Sequence, residues 1–197
     1  YLAGVSFGAT TPSYDLEKAI DQEYPVEGVT EESVREVLPR FLGEQEQIAP
    51  LFSAKSVDGV RAYELARKQY REAHKEKTDV MTDFDHTVAE TLNKQIINIS
   101  GMELISFFPN GKESGPELSD EGLRPNPRIN VVDTSALHLP LAMIRIKCSK
   151  GTYIRALARD LGEALGSGAH LNSLERTKSG GFTVGNCLSV NEVISVL

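Results

Sequence analysis

The sequence has few of the features that mark a metal-bound, disulfide-stabilised or membrane-spanning protein. Its 197 residues include two cysteines, Cys148 and Cys187, and neither lies near a second cysteine or a histidine at metal-ligand spacing. Residues 139–144, among the longest apolar runs, contain Pro140 and fall far short of the roughly 20 residues that a membrane-spanning helix needs. We therefore expect no metal site, disulfide framework or membrane segment. The low cysteine content also predicts a reducing compartment, with the cytoplasm expected and an organelle left open.

Charge is distributed unevenly along the chain, although a net charge of -7 and an isoelectric point near 5.2 describe an acidic protein. Residues 15–46 contain ten acids and three bases, whereas residues 143–159 contain five bases and no acid. Residues 61–77 add six bases against three glutamates. An ordinary solvated surface explains either basic run alone. Two such runs in one acidic chain favour an anionic ligand.

Length and composition predict one folded domain of the α+β class. A chain of 197 residues with 40% hydrophobic residues can bury a sizeable core. Strand-like runs alternate irregularly with helices of unequal length, which favours a mixed sheet over a doubly wound parallel one. The predicted elements at the two ends are a strand at Leu2–Phe7, a helix from Thr30 to Gly43 shortened or kinked by Pro39, a strand at Met143–Cys148, and a helix from about Thr152 to Leu165.

The middle of the chain is patterned less regularly. The elements predicted there are a strand at 51–57, a turn at Asp58–Gly59, a helix at 60–73, and two strands at 95–100 and 102–108. The last two strands are expected to be separate because Ser100–Gly101 interrupts them. The polar stretches at about 74–93 and 110–135 are expected to be surface insertions.

The stretch from Lys147 to Arg159 predicts an anion-binding turn. Gly151 lets the backbone turn tightly, and the first amides of the following helix point outward with the positive end of the helix dipole. Arg155 lies near that first turn, where the dipole disfavours a cation. An anion held between Arg155 and the helix start would explain its presence. The alternative is an ordinary pair between Arg155 and a surface carboxylate.

Three collinear blocks of the chain carry a resemblance to a known family. The most specific block begins with Cys-Ser-Lys-Gly-Thr-Tyr-Ile-Arg at 148–155 and continues through 158–162 to the glycines and phenylalanine at 180–182. The second block occupies 47–67 and the third 1–15. Together the blocks span most of the chain, which is far more specific than one short motif, and they resemble the TruB-type tRNA pseudouridine synthases, the pseudouridine-55 synthase family.

The resemblance implies a mixed, largely antiparallel sheet with flanking helices and an RNA-binding cleft. It implies that uridine in the T arm of tRNA becomes pseudouridine when an aspartate attacks it, the glycosidic bond breaks, and the uracil rotates and rejoins the ribose through carbon 5. No cofactor or metal is implied. Tyr1 matches the catalytic tyrosine that stacks on the base, and Arg155 matches the arginine that pairs with the aspartate. Tyr153 and Leu174 match positions that line the substrate pocket.

RNA contacts are expected from the basic side chains. The resemblance assigns Lys150 to an RNA phosphate, and the charge pattern adds Arg145, Lys147, Arg159 and Arg61. Together with Arg155, the bases of residues 143–159 are expected to rim one cleft, with the acids of residues 15–46 elsewhere. The expected partner is tRNA or another structured RNA, and the expected protein is a monomer.

One departure from the family pattern concerns catalysis. The family's aspartate lies in a Gly-x-Leu-Asp-Pro stretch upstream of the position that matches Tyr1, and these residues do not contain that stretch. We therefore expect residues 1–197 to be an N-terminally incomplete catalytic domain without a C-terminal RNA-binding domain, inactive by itself. Asp160 is expected to pair with Arg159 and not to replace the missing nucleophile. The alternative is a catalytically inactive RNA-binding chaperone or assembly factor.

Overall fold

The computed structural model describes residues 1–50, 52–53, 56–57, 60–61, 63–64, 94–111 and 132–196. The insertions predicted at 74–93 and 110–135 lie wholly or mostly outside these described residues, as does most of the helix predicted at 60–73. Of the strand predicted at 51–57, Ser56–Val57 is a strand, and it pairs with Val60–Arg61. Residues 60 and 61 are therefore not the helix start that the pattern predicted.

A five-stranded antiparallel sheet forms the centre of the fold. Its strands are β1 (Leu2–Phe7), β4 (Gly43–Gln47), β7 (Gln95–Phe108), β8 (Leu141–Cys148) and β9 (Ala169–Glu175), in the order β4-β7-β8-β1-β9. Every pair of neighbours in it is antiparallel, so the prediction of an α+β fold with a largely antiparallel sheet is confirmed. The two-stranded pairs are β2 (Ala9–Thr10) with β3 (Gln22–Glu23), β5 (Ser56–Val57) with β6 (Val60–Arg61), and β10 (Lys178–Ser179) with β11 (Phe182–Thr183).

Strand β7 corrects the expectation of two separate strands. It runs without a break over 14 residues, and the pairing with β8 shifts register between Ile99 and Gly101. A bulge accommodates the extra residue while both strands continue. Ser100–Gly101 therefore bends the strand without ending it.

Strand β8 has the alternating pattern that the sequence predicts. Ile144 and Ile146 are buried against the core, whereas Arg145 and Lys147 are exposed on the opposite face. The strand begins two residues earlier than predicted, because Leu141 and Ala142 also pair with β1 and β7.

Helices cover the face of the sheet that carries Ile144 and Ile146. Helices α1 (Glu31–Val37) and α2 (Ile154–Ala164) supply buried residues to the core on this face, whereas α3 (Val190–Val196) is exposed at residues 190–195. In α2, Ile154, Leu157 and Leu161 form the predicted apolar stripe, and they share one core cluster with β1, β8 and β9. Among the described residues, no helix is both long and apolar enough to span a membrane.

Helix α1 shows how local sequence sets the ends of an element. Thr30 accepts a hydrogen bond from the amide of Ser33, and the Ser33 hydroxyl accepts one from the amide of Thr30, which forms a capping box. The α-helix then ends at Val37, and Pro39 lies in a 3₁₀ turn over Leu38–Phe41. The predicted shortening of this helix by Pro39 is confirmed.

Candidate active site

The turn between β8 and α2 is attached to β7 by hydrogen bonds. The amide of Ser149 donates to the carbonyl of Asn98 at 2.8 Å, and the amide of Asn98 donates to the Ser149 hydroxyl at 3.0 Å. Thr152 donates from its hydroxyl to the carbonyl of Ser149 at 3.0 Å. Gly151 has a φ of +86°, a conformation that favours glycine. The start of α2 is therefore fixed to the sheet.

Arg155, in the first turn of α2, crosses to two other segments of the chain. Its Nη1 donates to Oδ2 of Asp15 at 2.9 Å and to the carbonyl of Ser13 at 3.2 Å. Its Nη2 donates to the carbonyl of Phe52 at 2.9 Å. About a quarter of each side chain in the Arg155–Asp15 pair is exposed. Within the described residues Nε has no hydrogen-bond partner, so one edge of the guanidinium is available to a further acceptor.

Asp15 is itself held in place by its own segment. The Ser13 hydroxyl donates to its Oδ1 at 2.6 Å, and the amide of Glu17 donates to the same oxygen at 3.0 Å. Thr11 donates to its carbonyl at 2.7 Å. The expectation that the acids of residues 15–46 lie away from the basic residues is therefore wrong for Asp15. The structure therefore shows the alternative left open by the sequence, in which Arg155 pairs with a carboxylate of this chain, 140 residues away in sequence.

Tyr1 lies on the sheet face that α2 covers. Its backbone nitrogen donates to the carbonyl of Ile146 at 2.8 Å, which continues the β1–β8 pairing, and its side chain packs against the core. Leu174 pairs with Ala3 across β1 and β9, so it shares this face and is about half exposed. The guanidinium of Arg176 lies over the Tyr1 ring, 5.1 Å from its centroid, a cation–π contact.

Arg176 falls inside the block at 148–182 that resembles the family, but the sequence assigned it no role at the site. Its place beside Tyr1 follows from the register of β1 and β9, in which Leu2 pairs with Glu175. Residue pairing of this kind depends on the tertiary structure, and no local pattern around residue 176 indicates it.

The basic residues do not rim one cleft, so that expectation is wrong. Arg145 and Lys147 project from the sheet face opposite to α2, and Arg145 donates to Glu103 at 2.7 Å. Arg155 belongs to α2 itself. Lys150 is exposed in the turn before α2, and Arg61 belongs to β6. Strand alternation separates Arg145 and Lys147 from the helix because successive side chains point to opposite faces.

Arg159 lies in a different environment from the RNA contact expected of it. Its side chain is 13% exposed and donates to Oδ1 of Asp160 from Nε at 2.8 Å and from Nη2 at 2.6 Å, as expected for that pair. The guanidinium also lies 5.2 Å from the centroid of the Tyr14 ring. Burial raises the pKa of Tyr14 above 10.0, and the guanidinium acts in the opposite direction. These contacts bind most of the guanidinium within the protein, which argues against an RNA contact.

The chemistry available at this site is that of positioned cations and aromatic rings. Arg155 has an Nε donor with no partner among the described residues, Tyr153 precedes it at the helix start, and the Tyr1 ring contacts Arg176. Across the described part of the chain, no group of three or more His, Cys, Asp or Glu side chains is arranged to hold a metal ion.

Two models of known protein families match this chain. The profile described as "TruB family pseudouridylate synthase (N terminal domain)" matches residues 1–105, and that of "tRNA pseudouridylate synthase B C-terminal domain" matches residues 155–197. The first match covers more than half of the chain. The chain thus belongs to the TruB family of pseudouridylate synthases.

Curated relatives agree with the family match. The tRNA pseudouridine synthase B of Parabacteroides distasonis is 42% identical over 193 residues, 98% of this chain and 62% of the relative. Its namesake in Bacteroides thetaiotaomicron is 44% identical over 188 residues, 95% of this chain and 60% of the relative. In Deinococcus radiodurans the identity is 35% over 196 residues, 98% of this chain and 58% of the relative. The chain therefore spans about three fifths of the length of these relatives.

Proposed function

We propose that the protein containing this chain isomerises uridine to pseudouridine in the T arm of tRNA, without a cofactor. The observation that carries the proposal is the guanidinium of Arg155, which Asp15 and two carbonyls hold at the start of α2, while its Nε has no partner in the described part of the chain. The relatives named above are tRNA pseudouridine synthases B, which supports the reaction and the class of substrate.

Arg155 is the counter-charge of the catalytic aspartate in this proposal. That aspartate comes from the part of the protein upstream of Tyr1 and approaches the unpaired Nε edge. An opposite charge close by favours the ionised carboxylate, which is the nucleophilic form. Asp15 orients the guanidinium from its other side, since both oxygens of the Asp15 carboxylate are already hydrogen-bonded. The arginine is thereby fixed before the substrate arrives.

Once the target base has been flipped out of the RNA, it needs an aromatic surface on which to stack. Tyr1 stacks on the uracil and is the candidate for removing the proton from carbon 5 after the base has rejoined the ribose. Tyr153 and Leu174 form the other walls of the pocket. The half-exposed position of Leu174, on the same sheet face as Tyr1, supports this role.

The RNA backbone contacts Lys150 first in this proposal, because that lysine is exposed in the turn that leads to Arg155. Arg61, Arg145 and Lys147 are secondary contacts. Arg145 and Lys147 lie on the other face of the sheet and so serve only an RNA that wraps around its edge. The proposed protein is a cytoplasmic monomer whose affinity for RNA falls as salt is added, because each phosphate contact releases counterions.

The test measures pseudouridine in a T-arm stem-loop RNA after incubation with the full-length protein, by chemical labelling and mass spectrometry. We expect formation by the full-length protein and none by residues 1–197 alone. Formation by residues 1–197 would show that the nucleophile lies in this chain. Tight RNA binding by the full-length protein without any pseudouridine would overturn the proposal and favour an RNA chaperone.

A further inference from the structure

Gln47 is a buried amide at the end of an edge strand. It is the last residue of β4, and its side chain is 2% exposed, whereas Glu44 and Glu46 of the same strand point to solvent. Burying a carboxamide costs free energy unless its donor and its acceptor are both hydrogen-bonded. Oε1 of Gln47 accepts a hydrogen bond from Nε2 of Gln95 at 3.5 Å, and both groups of Gln47 bind one residue at the start of another element.

That residue is Tyr153, 106 positions along the chain. The Nε2 of Gln47 donates to the carbonyl of Tyr153 at 3.1 Å, and the amide of Tyr153 donates to Oε1 of Gln47 at 2.9 Å. Two facing residues of antiparallel strands exchange the same pair of backbone hydrogen bonds. The carboxamide of Gln47 therefore binds Tyr153 as the backbone of a neighbouring strand would. A paired donor and acceptor fix both the position and the rotation of Tyr153.

Tyr153 is the residue from which α2 starts. It occupies the N-cap position with no side-chain hydrogen bond of its own, and its carbonyl accepts the amide of Leu157 at 3.1 Å, the first bond of the helix. Gln47, a residue of strand β4, therefore supplies the side-chain cap at the start of α2. Gln95 holds the preceding turn in the same way, since its Nε2 donates to the carbonyl of Gly151 at 2.7 Å.

We propose that Gln47 is a positioning residue of the active site, which sets the place of Tyr153 and, through the first turn of α2, that of Arg155. The inference rests on the proposed function. Asp15 holds the far end of the Arg155 side chain, and Gln47 holds the backbone of Tyr153, two residues before Arg155 at the start of the same helix. A displacement of about 1 Å at a reacting group can cost on the order of 100-fold in rate. Because Gln47 is 2% exposed and so presents no surface to RNA, its loss should affect turnover and not RNA affinity.

The first test compares two glutamines of β4 in the full-length protein. Gln47→Met keeps most of the side-chain volume and removes both hydrogen bonds to Tyr153. Gln45→Met is the matched control, because Gln45 lies two residues earlier on the same strand and donates to the carbonyl of Phe41. At saturating stem-loop RNA, and at a temperature where both variants are folded, we expect Gln47→Met to lose at least about tenfold in single-turnover rate. Its dissociation constant for RNA and the rate of Gln45→Met should match wild type.

A second variant separates positioning from mere stability. In Gln47→Glu an ionised carboxylate faces the carbonyl of Tyr153, whereas the protonated acid again offers one donor and one acceptor. Burial favours the protonated form, so the rate of Gln47→Glu relative to wild type should rise as the pH is lowered from about 8 to about 6. A flat ratio across this range would contradict the positioning role.

The remaining outcomes distinguish this inference from the proposed function. A wild-type rate for Gln47→Met in an active protein would overturn the inference alone. If the wild-type protein forms no pseudouridine, the proposed function fails. Amide hydrogen exchange then tests whether Gln47 positions the start of α2. In that case Gln47→Met should speed exchange at residues 151–155 by about tenfold or more, with residues 157–164 unchanged. Equal protection of both segments would overturn the positioning role.

Discussion

Arg155 and Asp15 form an ion pair at 2.9 Å that joins the first turn of α2 to the segment after β2. The carboxylate is not a mobile surface partner, because its other oxygen accepts hydrogen bonds from Ser13 and Glu17. The two residues thus form a preassembled unit. An exposed ion pair contributes little to the free energy of folding. The main effect of this pair is therefore to fix the orientation of the Arg155 guanidinium.

Replacing either partner of this pair should reduce turnover more than RNA binding. Arg155→Lys keeps the charge but loses the fork of donors that reaches Asp15, Ser13 and Phe52. We expect its rate with a T-arm stem-loop to fall on the order of 100-fold, with the RNA dissociation constant nearly unchanged. Asp15→Asn should give a smaller loss in the same direction, because the guanidinium keeps its carbonyl partners.

The double variant tests whether these two residues act together. If Asp15 acts through Arg155, adding Asp15→Asn to Arg155→Lys should cost much less than it does in the wild-type background. Additive losses in rate would show that Asp15 has a separate role. An Arg155→Lys protein with the wild-type rate would reduce Arg155 to a structural ion pair.

Tyr1 and Arg176 should have separable effects. Tyr1→Ala removes the stacking surface and should lower the rate on the order of 100-fold, whereas Tyr1→Phe keeps stacking and tests the hydroxyl alone. Arg176→Gln removes the cation over the ring, a contact worth about 1 kcal/mol, and should reduce the rate by about tenfold or less. Single-turnover kinetics at saturating RNA distinguish these cases. A full rate for Tyr1→Ala would exclude the stacking role.

Gly162 should not tolerate alanine, although alanine favours helices. In open space the change would stabilise a helix by up to about 1 kcal/mol. A Cβ at Gly162 would lie 2.3 Å from the backbone nitrogen of Ala169, so helix and strand must separate. We expect a loss of roughly 1–3 kcal/mol in the free energy of unfolding, measured in urea. Gly28→Ala, whose Cβ would meet no atom within 4 Å, is the control and should be neutral.

The buried His170 should make stability depend on pH. Its Nδ1 lies 2.9 Å from the carbonyl of Ala9, and burial lowers its pKa below 6.5, against the carboxylates of Asp15 and Asp21, which act to raise it. The unfolded chain therefore binds a proton more readily than the folded one below pH 6.5. Stability should fall as the pH drops below that value, by at most about 1.4 kcal/mol per pH unit for this one group.

Two histidine variants test this dependence through urea unfolding between about pH 7 and pH 5. His170→Asn can keep a donor towards Ala9 but does not titrate, so its stability should vary less over the range. His138→Gln replaces an exposed histidine and should keep the wild-type slope. A wild-type slope in His170→Asn would assign the dependence to other groups.

The sequence alone determined the elements whose pattern is local. Alternating residues in β8, the apolar stripe of α2 and the cap at Thr30 were all predictable, because strand and helix periods place near neighbours in the chain on known faces. The family resemblance added the positions of Tyr1, Tyr153, Arg155 and Leu174. These predictions required no knowledge of which strand lies beside which.

Only the tertiary structure decided the partners of those residues. Asp15 meets Arg155 across 140 positions, and Gln47 meets Tyr153 across 106. The basic residues of 143–159 likewise lie on two different faces of the sheet, and Arg159 is largely buried in a pair with Asp160. A count of charges along the sequence does not show this division. Local sequence sets the period of each element, but hydrogen-bond partners depend on strand order and on how α2 packs across the sheet. That packing maximises burial over the whole chain and leaves no signature at a single position.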